Sequence, residues 1–139
     1  MFNYIERFLP FSSVDIIIEY GEEGIIITKR AIRPYCGWWH LPGSVILKNE
    51  RVRDTVLRSA AEELKIEIFA PRFIGIYELF TPRRHYITHL YLTRWKAGEI
   101  ILDRQSNSFE VVPATKLPQK FIPIQRKMVE DAITMGMIQ

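Results

Sequence analysis

The chain of 139 residues is 47% hydrophobic, 25% charged and 12% aromatic, a globular composition that excludes wholesale disorder, collagen-like repetition and a disulfide scaffold. Nineteen Lys and Arg against sixteen Asp and Glu leave a net charge of +3, which favours phosphate-bearing partners but is too small to indicate nucleic-acid binding. Cys36 is the only cysteine, so no intrachain disulfide forms, and no apolar run approaches the ~20 residues of a membrane helix.

Near the N-terminus Glu6 and Arg7 stand where a signal peptide keeps an apolar centre. The expectation is one cytoplasmic domain over residues 1–139, with no membrane partner. The apolar character of Met1 to Phe11 suits a homodimer contact. Val14 to Tyr20 and Gly24 to Arg30 are β-branched runs around Gly21-Glu22-Glu23-Gly24, the pattern of a hairpin. Arg33 to Gly37 reads as a loop, Trp38 to Leu41 as a short extended piece and Pro42-Gly43-Ser44 as a turn.

From Arg51 to Lys65 the period changes. Val52, Val56, Leu57, Ala60, Ala61 and Leu64 fill one half of a helical wheel, so this is an amphipathic helix with Asn49 as its expected N-cap. Phe73 to Phe80 and Tyr86 to Trp95 read as strands joined by a loop holding Arg83, Arg84 and His85. Glu99 to Leu102 reads as a short strand before the polar loop Asp103 to Ser108, and Phe109 to Val112 as another. Pro123 to Met137 closes as a second amphipathic helix with Ile124, Met128, Val129, Ala132 and Ile133 inward. Many strands with one central and one terminal helix make a mixed α/β sandwich.

The central helix holds an oddity. With Val52 at 0°, the apolar stripe covers roughly 0–180° and Glu63 falls near 20° by helical geometry, at the edge of the buried face. A carboxylate there needs a hydrogen bond, a cation or a metal, because leaving it dry and alone costs several kcal/mol. A glycine turn just upstream lets the backbone approach closely and present a carbonyl to a hard cation. One carbonyl plus one or two carboxylates matches the oxygen preference of Mg²⁺, with its other positions going to water and phosphate.

The same residues carry a resemblance. The Nudix signature reads Gly, five residues, Glu, seven residues, then Arg-Glu-apolar-x-Glu-Glu-x-Gly-apolar. Here Ser44 is followed at those spacings by Glu50 and by Arg58-Ser59-Ala60-Ala61-Glu62-Glu63-Leu64-Lys65-Ile66, with Trp39-His40-Leu41-Pro42-Gly43 upstream. Glu50, Arg58, Glu62 and Glu63 match; Ser44, Ser59 and Lys65 depart from Gly, Glu and Gly. Within the family the chain looks most like the GDP-mannose mannosyl hydrolases, without a gap from about Asp15 to Ile66, including Lys29-Arg30 and Arg33-Pro34.

The resemblance implies an α/β/α sandwich holding Mg²⁺, with Mn²⁺ as the alternative. Its metal ligands map onto the Gly43 carbonyl, Glu63 and Gln105, with Glu62 either a further ligand or a partner of Arg58. It puts Arg30 on the diphosphate, Asp15 on the substrate, and Glu50 against Arg58. The subfamily's catalytic His falls on Ser106, its second phosphate-binding Arg on Val45, its active-site Tyr on Leu90 and a further His on Leu79. His85 or Glu110 would stand in as proton acceptor, and Tyr35 is the aromatic placed to stack a base. The expected substrate is a nucleoside diphosphate linked to another group, foremost a nucleotide sugar such as GDP-mannose. The alternatives are a degenerate module that binds nucleotide or RNA without turnover, and a pyrophosphohydrolase of free nucleotides.

Overall fold

A computed structural model describes residues 6–138. Its strands are β1 (Phe11–Tyr20), β2 (Gly24–Arg30), β3 (Trp39–His40), β4 (Gly43–Val45), β5 (Glu67–Ile68), β6 (Arg72–Phe80), β7 (His85–Ala97) and β8 (Ser106–Val112). Two helices complete it: α1, which runs Val52–Ser59 and continues as a wider π-helical turn over Ala60–Leu64, and α2 (Pro123–Thr134). The sheet is mixed, because β1 runs parallel to β7 while every other pairing is antiparallel.

Strand alternation sorts β1 between two cores. Val14, Ile16 and Ile18 join Ile26 and pack on Val56, Ala60 and Leu64 of α1. On the other face Ile17 joins Ile25, Ile27 and Leu90 and packs on Met128, Val129 and Ala132 of α2. The sheet is therefore the middle layer of three, as the mixed α/β sandwich expectation had it. Asp15, an odd-numbered residue of β1, shares the face of Ile17 and points towards α2.

Several expectations are corrected. Asn49 does not cap α1: it sits in the preceding turn at φ 66°, and the helix starts after Arg51 with no side-chain cap. Thr55 instead anchors the first turn by donating to Glu50 Oε1 at 2.7 Å. Residues 99–102 form no strand; Ile101 N donates to the Leu64 carbonyl at 2.9 Å, so this apolar segment seals the end of α1. Pro42-Gly43-Ser44 is more than a turn, since Gly43–Val45 pairs with Ser13–Asp15 of β1. The two-residue β5 had no signal in the sequence. Of the apolar N-terminal stretch, residues 1–5 lie outside the described residues, while Phe8 and Leu9 are exposed. Among the described residues no helix is long and apolar enough to cross a membrane.

Candidate active site

A cavity of about 490 Å³ opens where β1, β2 and β4 meet α1. Its lining carries the acidic side chains Asp15, Glu62, Glu63 and Asp103 and the arginines Arg30, Arg33, Arg58 and Arg84. Tyr35, His40, Tyr86, Gln105 and Gln125 fill the spaces between them.

The loop before α1 is held by a charge pair. Glu50 Oε2 accepts from Arg58 Nε at 2.7 Å and Oε1 from Arg58 Nη2 at 3.0 Å, a bidentate arrangement that fixes orientation as well as distance. Oε1 also accepts from Leu47 N at 3.1 Å. The Arg58 hydrogen bonds, helped by Thr55 and Leu47, hold the Glu50 carboxyl down to about 2. Arg58 Nη2 also reaches the Val45 carbonyl at 2.9 Å, and Nη1 reaches Glu62 Oε2 at 3.3 Å. One guanidinium thus joins β4, the loop and the π-helical turn.

Glu63 has the opposite surroundings. It lies in the π-helical turn, a feature common at functional sites because it re-aims side chains within a helix. Its carboxyl receives two long hydrogen bonds, from Gly43 N at 3.4 Å and Ser44 Oγ at 3.2 Å. Among the described residues it makes no ion pair. Burial first, and then the nearby Asp103 charge, push it up to about 8. The departure to Ser44 thus has a local use, as its hydroxyl donates to Glu63. The departure to Lys65 costs strain, since Lys65 closes the helix at φ 59°, where glycine is at ease. The departure to Ser59 leaves a buried hydroxyl with no hydrogen-bond partner among the described residues, outside the cavity lining.

The remaining pieces are stitched in by the backbone. Asp103 N donates to the Glu63 carbonyl at 3.1 Å, and Ala31 N to the Gln105 carbonyl at 2.9 Å. Gln105 N donates to Asp103 Oδ1 at 3.0 Å, so the 103–105 loop spans from α1 to the end of β2. Gly43 lies opposite Asp15 in the β1–β4 pairing. A Cβ there would stand 2.1 Å from the Val14 carbonyl oxygen and 2.6 Å from Asp15 Oδ1, so only glycine fits. Arg30 Nε donates to the Pro34 carbonyl at 2.6 Å, planting the guanidinium on the cavity wall. Burial lowers its pKa, while Tyr86, Glu63 and Asp15 oppose that shift.

Asp15 is pushed up to about 7 by burial, against a hydrogen bond from Gln125. His40, bonded to Thr28 Oγ1 at 3.0 Å, is pulled down to about 3 by burial and by Arg30, so its imidazole is neutral.

The structure therefore brings together Asp15, Arg30, Tyr35, Gly43, Glu62, Glu63 and Gln105 around one cavity. His85 is not among them. It faces a second hollow, stacked on Phe80 at 4.5 Å and bonded to Glu78 Oε2 at 2.9 Å. Glu110 pairs with Ile27 in β8, also off the cavity. Val45 and Leu79 line it, whereas Leu90 is fully buried in the core. Tyr35 sits at the rim, edge-on to Trp38 at 5.5 Å. Sequence reasoning missed Asp103 and Gln125 as cavity residues. Asp103 carried no signal beyond a polar loop; Gln125 had one, its spacing to Met128, Val129 and Ala132 on the inward stripe of α2.

Comparison with known proteins bears on the same residues. A family model described as NUDIX domain matches residues 9–132. The chain is 27% identical over 111 residues to the low-salt glycan biosynthesis protein Agl8 of Haloferax volcanii, covering 74% of this chain and 70% of that one. It is 28% identical over 124 residues to an ADP-ribose pyrophosphatase of Methanocaldococcus jannaschii, covering 88% and 72%. In structure it resembles a MutT NUDIX hydrolase from Burkholderia pseudomallei (TM-score 0.80, 23% identity, 87% of this chain and 96% of that one). It also resembles the NUDIX domain of Shewanella oneidensis NrtR, solved with ADP ribose (TM-score 0.77, 18% identity, 91% and 88%). The structural likenesses establish the mixed sheet flanked by helices.

Proposed function

The chain belongs to the NUDIX domain family, and from that premise we propose that it hydrolyses a nucleoside diphosphate joined to a sugar, cutting between the two phosphorus atoms. The observation that carries this reading is Glu63, a half-buried carboxyl with no ion pair among the described residues, lining the same cavity as Arg30.

The residues present fit a divalent cation, Mg²⁺ or Mn²⁺. Glu63 would be the central donor, joined by the Gly43 carbonyl and the Gln105 amide, all hard oxygen ligands of the kind Mg²⁺ prefers. Among the described residues no three acidic, His or Cys side chains converge as a metal cluster, so the backbone carbonyl and the amide are needed. A bound cation neutralises the diphosphate and eases departure of the leaving group.

The chain's own groups do the rest. Arg30, its guanidinium fixed by the Pro34 carbonyl, clamps phosphoryl oxygens in the cavity. Asp15 meets the substrate beside Gly43, and Tyr35 stacks the base at the rim. With His85 and Glu110 off the cavity, Glu62, which lines it, would take the proton of the attacking water. It is 61% exposed and meets Arg58 only at 3.3 Å. The water oxygen bonds to phosphorus, the bridging P–O bond breaks, and the products are a nucleoside monophosphate and a sugar phosphate.

The GDP-mannose reaction, with attack at the sugar carbon, is disfavoured. The positions of its catalytic His, second Arg and active-site Tyr are Ser106, Val45 and Leu90, and no other histidine reaches the cavity except the neutral His40. ADP-ribose, itself a nucleoside diphosphate joined to a sugar, is the substrate in the name of one relative and joins nucleotide sugars as the class to test.

The test is a panel of nucleotide sugars, ADP-ribose and deoxynucleoside triphosphates incubated with Mg²⁺ in ¹⁸O-water, with products read by mass spectrometry. A monophosphate and a sugar phosphate, one of them labelled on phosphorus, are expected. A nucleoside diphosphate with labelled free sugar would move the attack to carbon. Saturable binding without products would replace the enzyme by a nucleotide-binding module.

A further inference from the structure

Gln125 lies in the first turns of α2, far outside the signature loop and helix, yet it is only 6% exposed. A buried amide is costly unless its donor and acceptor are both engaged. Both are. Its Oε1 accepts from Leu41 N at 2.7 Å, and its Nε2 donates to Asp15 Oδ2 at 3.0 Å. Two backbone hydrogen bonds set this up: Trp39 N donates to the Lys120 carbonyl at 2.8 Å and Ile122 N to the Trp39 carbonyl at 3.1 Å. They pin the start of α2 against β3, so that Gln125 reaches the residue leading into the Pro42-Gly43 turn.

The orientation of this amide follows from its partners. Leu41 N–H is a donor only, so the oxygen of Gln125 must face it, and the NH₂ group must then face Asp15. One oxygen of Asp15 is thereby committed as an acceptor. The other, Oδ1, is the one lying over Gly43, where an added Cβ would approach it to 2.6 Å. It lies beside the turn whose backbone also meets Glu63. The chain thus reaches around from its other end to settle which oxygen of Asp15, a residue lining the cavity, lies over Gly43.

We infer that Gln125 is a positioning residue, which holds the Asp15 carboxyl with Oδ1 turned to the substrate and ties that orientation to the Pro42-Gly43 turn. This rests on the reading of the cavity as a nucleotide-sugar site. Gln125 itself touches no reacting atom; it acts through Asp15.

Two variants separate the two hydrogen bonds. Gln125→Glu keeps the acceptor for Leu41 N–H and the shape of the side chain but replaces the NH₂ group facing Asp15 by a second carboxyl oxygen. Gln125→Leu removes both. Each is made in the full chain, alone and with Asp15→Asn, and assayed on the panel substrate that turns over fastest. Melting temperatures and a crystal structure of Gln125→Glu are obtained alongside.

Gln125→Glu should lower kcat/KM by about 10- to 100-fold, the usual scale for losing the partner that orients an active-site group, mainly through KM. In the Asp15→Asn background the same change should cost about twofold or less, because the two residues act as one unit. The crystal structure should show the Asp15 carboxyl turned from its present orientation. Equal losses in both backgrounds would overturn the inference. So would wild-type kinetics in Gln125→Glu with loss only in Gln125→Leu, or an Asp15 carboxyl that has not moved. If Asp15→Asn leaves turnover intact while Gln125→Glu still turns the carboxyl, the coupling stands and the substrate role of Asp15 fails. A chain that turns over no substrate is judged on the carboxyl orientation alone.

Discussion

Glu50 and Glu63 lie thirteen positions apart, both in the signature segment, and the fold treats them in opposite ways. Glu50 is met by a guanidinium on two atoms, a hydroxyl and a backbone N–H, and its carboxyl is held down to about 2. Glu63 has two long hydrogen bonds, no ion pair among the described residues and an acidic neighbour, and its carboxyl is pushed up to about 8. A carboxylate whose charge is met within the chain holds structure together. One left without an ion pair among the described residues suits the proposed role of cation ligand. The difference separates scaffold from chemistry inside a motif that the sequence presents as a single block.

The sharpest way to break that contrast is Glu63→Gln. It should cut Mg²⁺-dependent turnover by orders of magnitude, measured by product release across a metal titration; unchanged turnover would remove Glu63 from the proposed metal site. The same variant should leave the metal-free fold intact, because the amide still accepts from Gly43 and Ser44 without placing a charge there.

Next is acidity. The folded-state pKa of Glu63, about 8, lies above its usual 4.5. Its contribution to stability is therefore full below pH 4.5 and is lost as pH rises through about 8. Metal-free melting temperature should fall between pH 5 and 9, Mg²⁺ should restore most at the upper end, and Glu63→Gln should flatten the profile. Scanning fluorimetry with and without chelator reads all three.

Glu50 has the opposite sign. Its folded-state pKa, about 2, lies below 4.5, so its contribution is present above pH 4.5 and lost as pH falls through about 2. Glu50→Gln should lower the melting temperature at neutral pH, with the gap closing in acid, and should reduce turnover far less than Glu63→Gln. Equal effects of the two variants on turnover would erase the distinction. The smallest effect expected is from Lys65→Gly. It relieves a left-handed residue at the end of α1 and should stabilise the protein by at most about 1 kcal/mol in urea unfolding.

The hairpin of β1 and β2, the signature helix and the terminal helix were legible because each carries many apolar residues at a strict period. Glu63 was legible for the same reason, as a charge placed wrongly on an apolar stripe. What escaped the sequence depends on contacts between distant segments. Residues 99–102 have the composition of a strand, but the nearest free partner is the Leu64 carbonyl at the end of a helix. Asn49 has the chemistry of a cap, but the turn places it two residues too early. Tertiary contacts decide these cases, and local preference does not. His85 shows the limit of residue type as a guide. It sits next to Arg84 and Tyr86, both lining the cavity, but Glu78 and Phe80 hold its ring on the other side of the loop.

The parallel pairing of β1 with β7 brings Phe11 beside Tyr86 and Glu19 beside Arg94. During synthesis the run Ile16-Ile17-Ile18 therefore has no neighbour on that side until Tyr91 to Thr93 have been made. Joining such remote segments is slow, and it leaves a sticky strand uncovered meanwhile. The isoleucine triplet is thus covered on that side only when β7 arrives, after both the hairpin and the signature helix have been made.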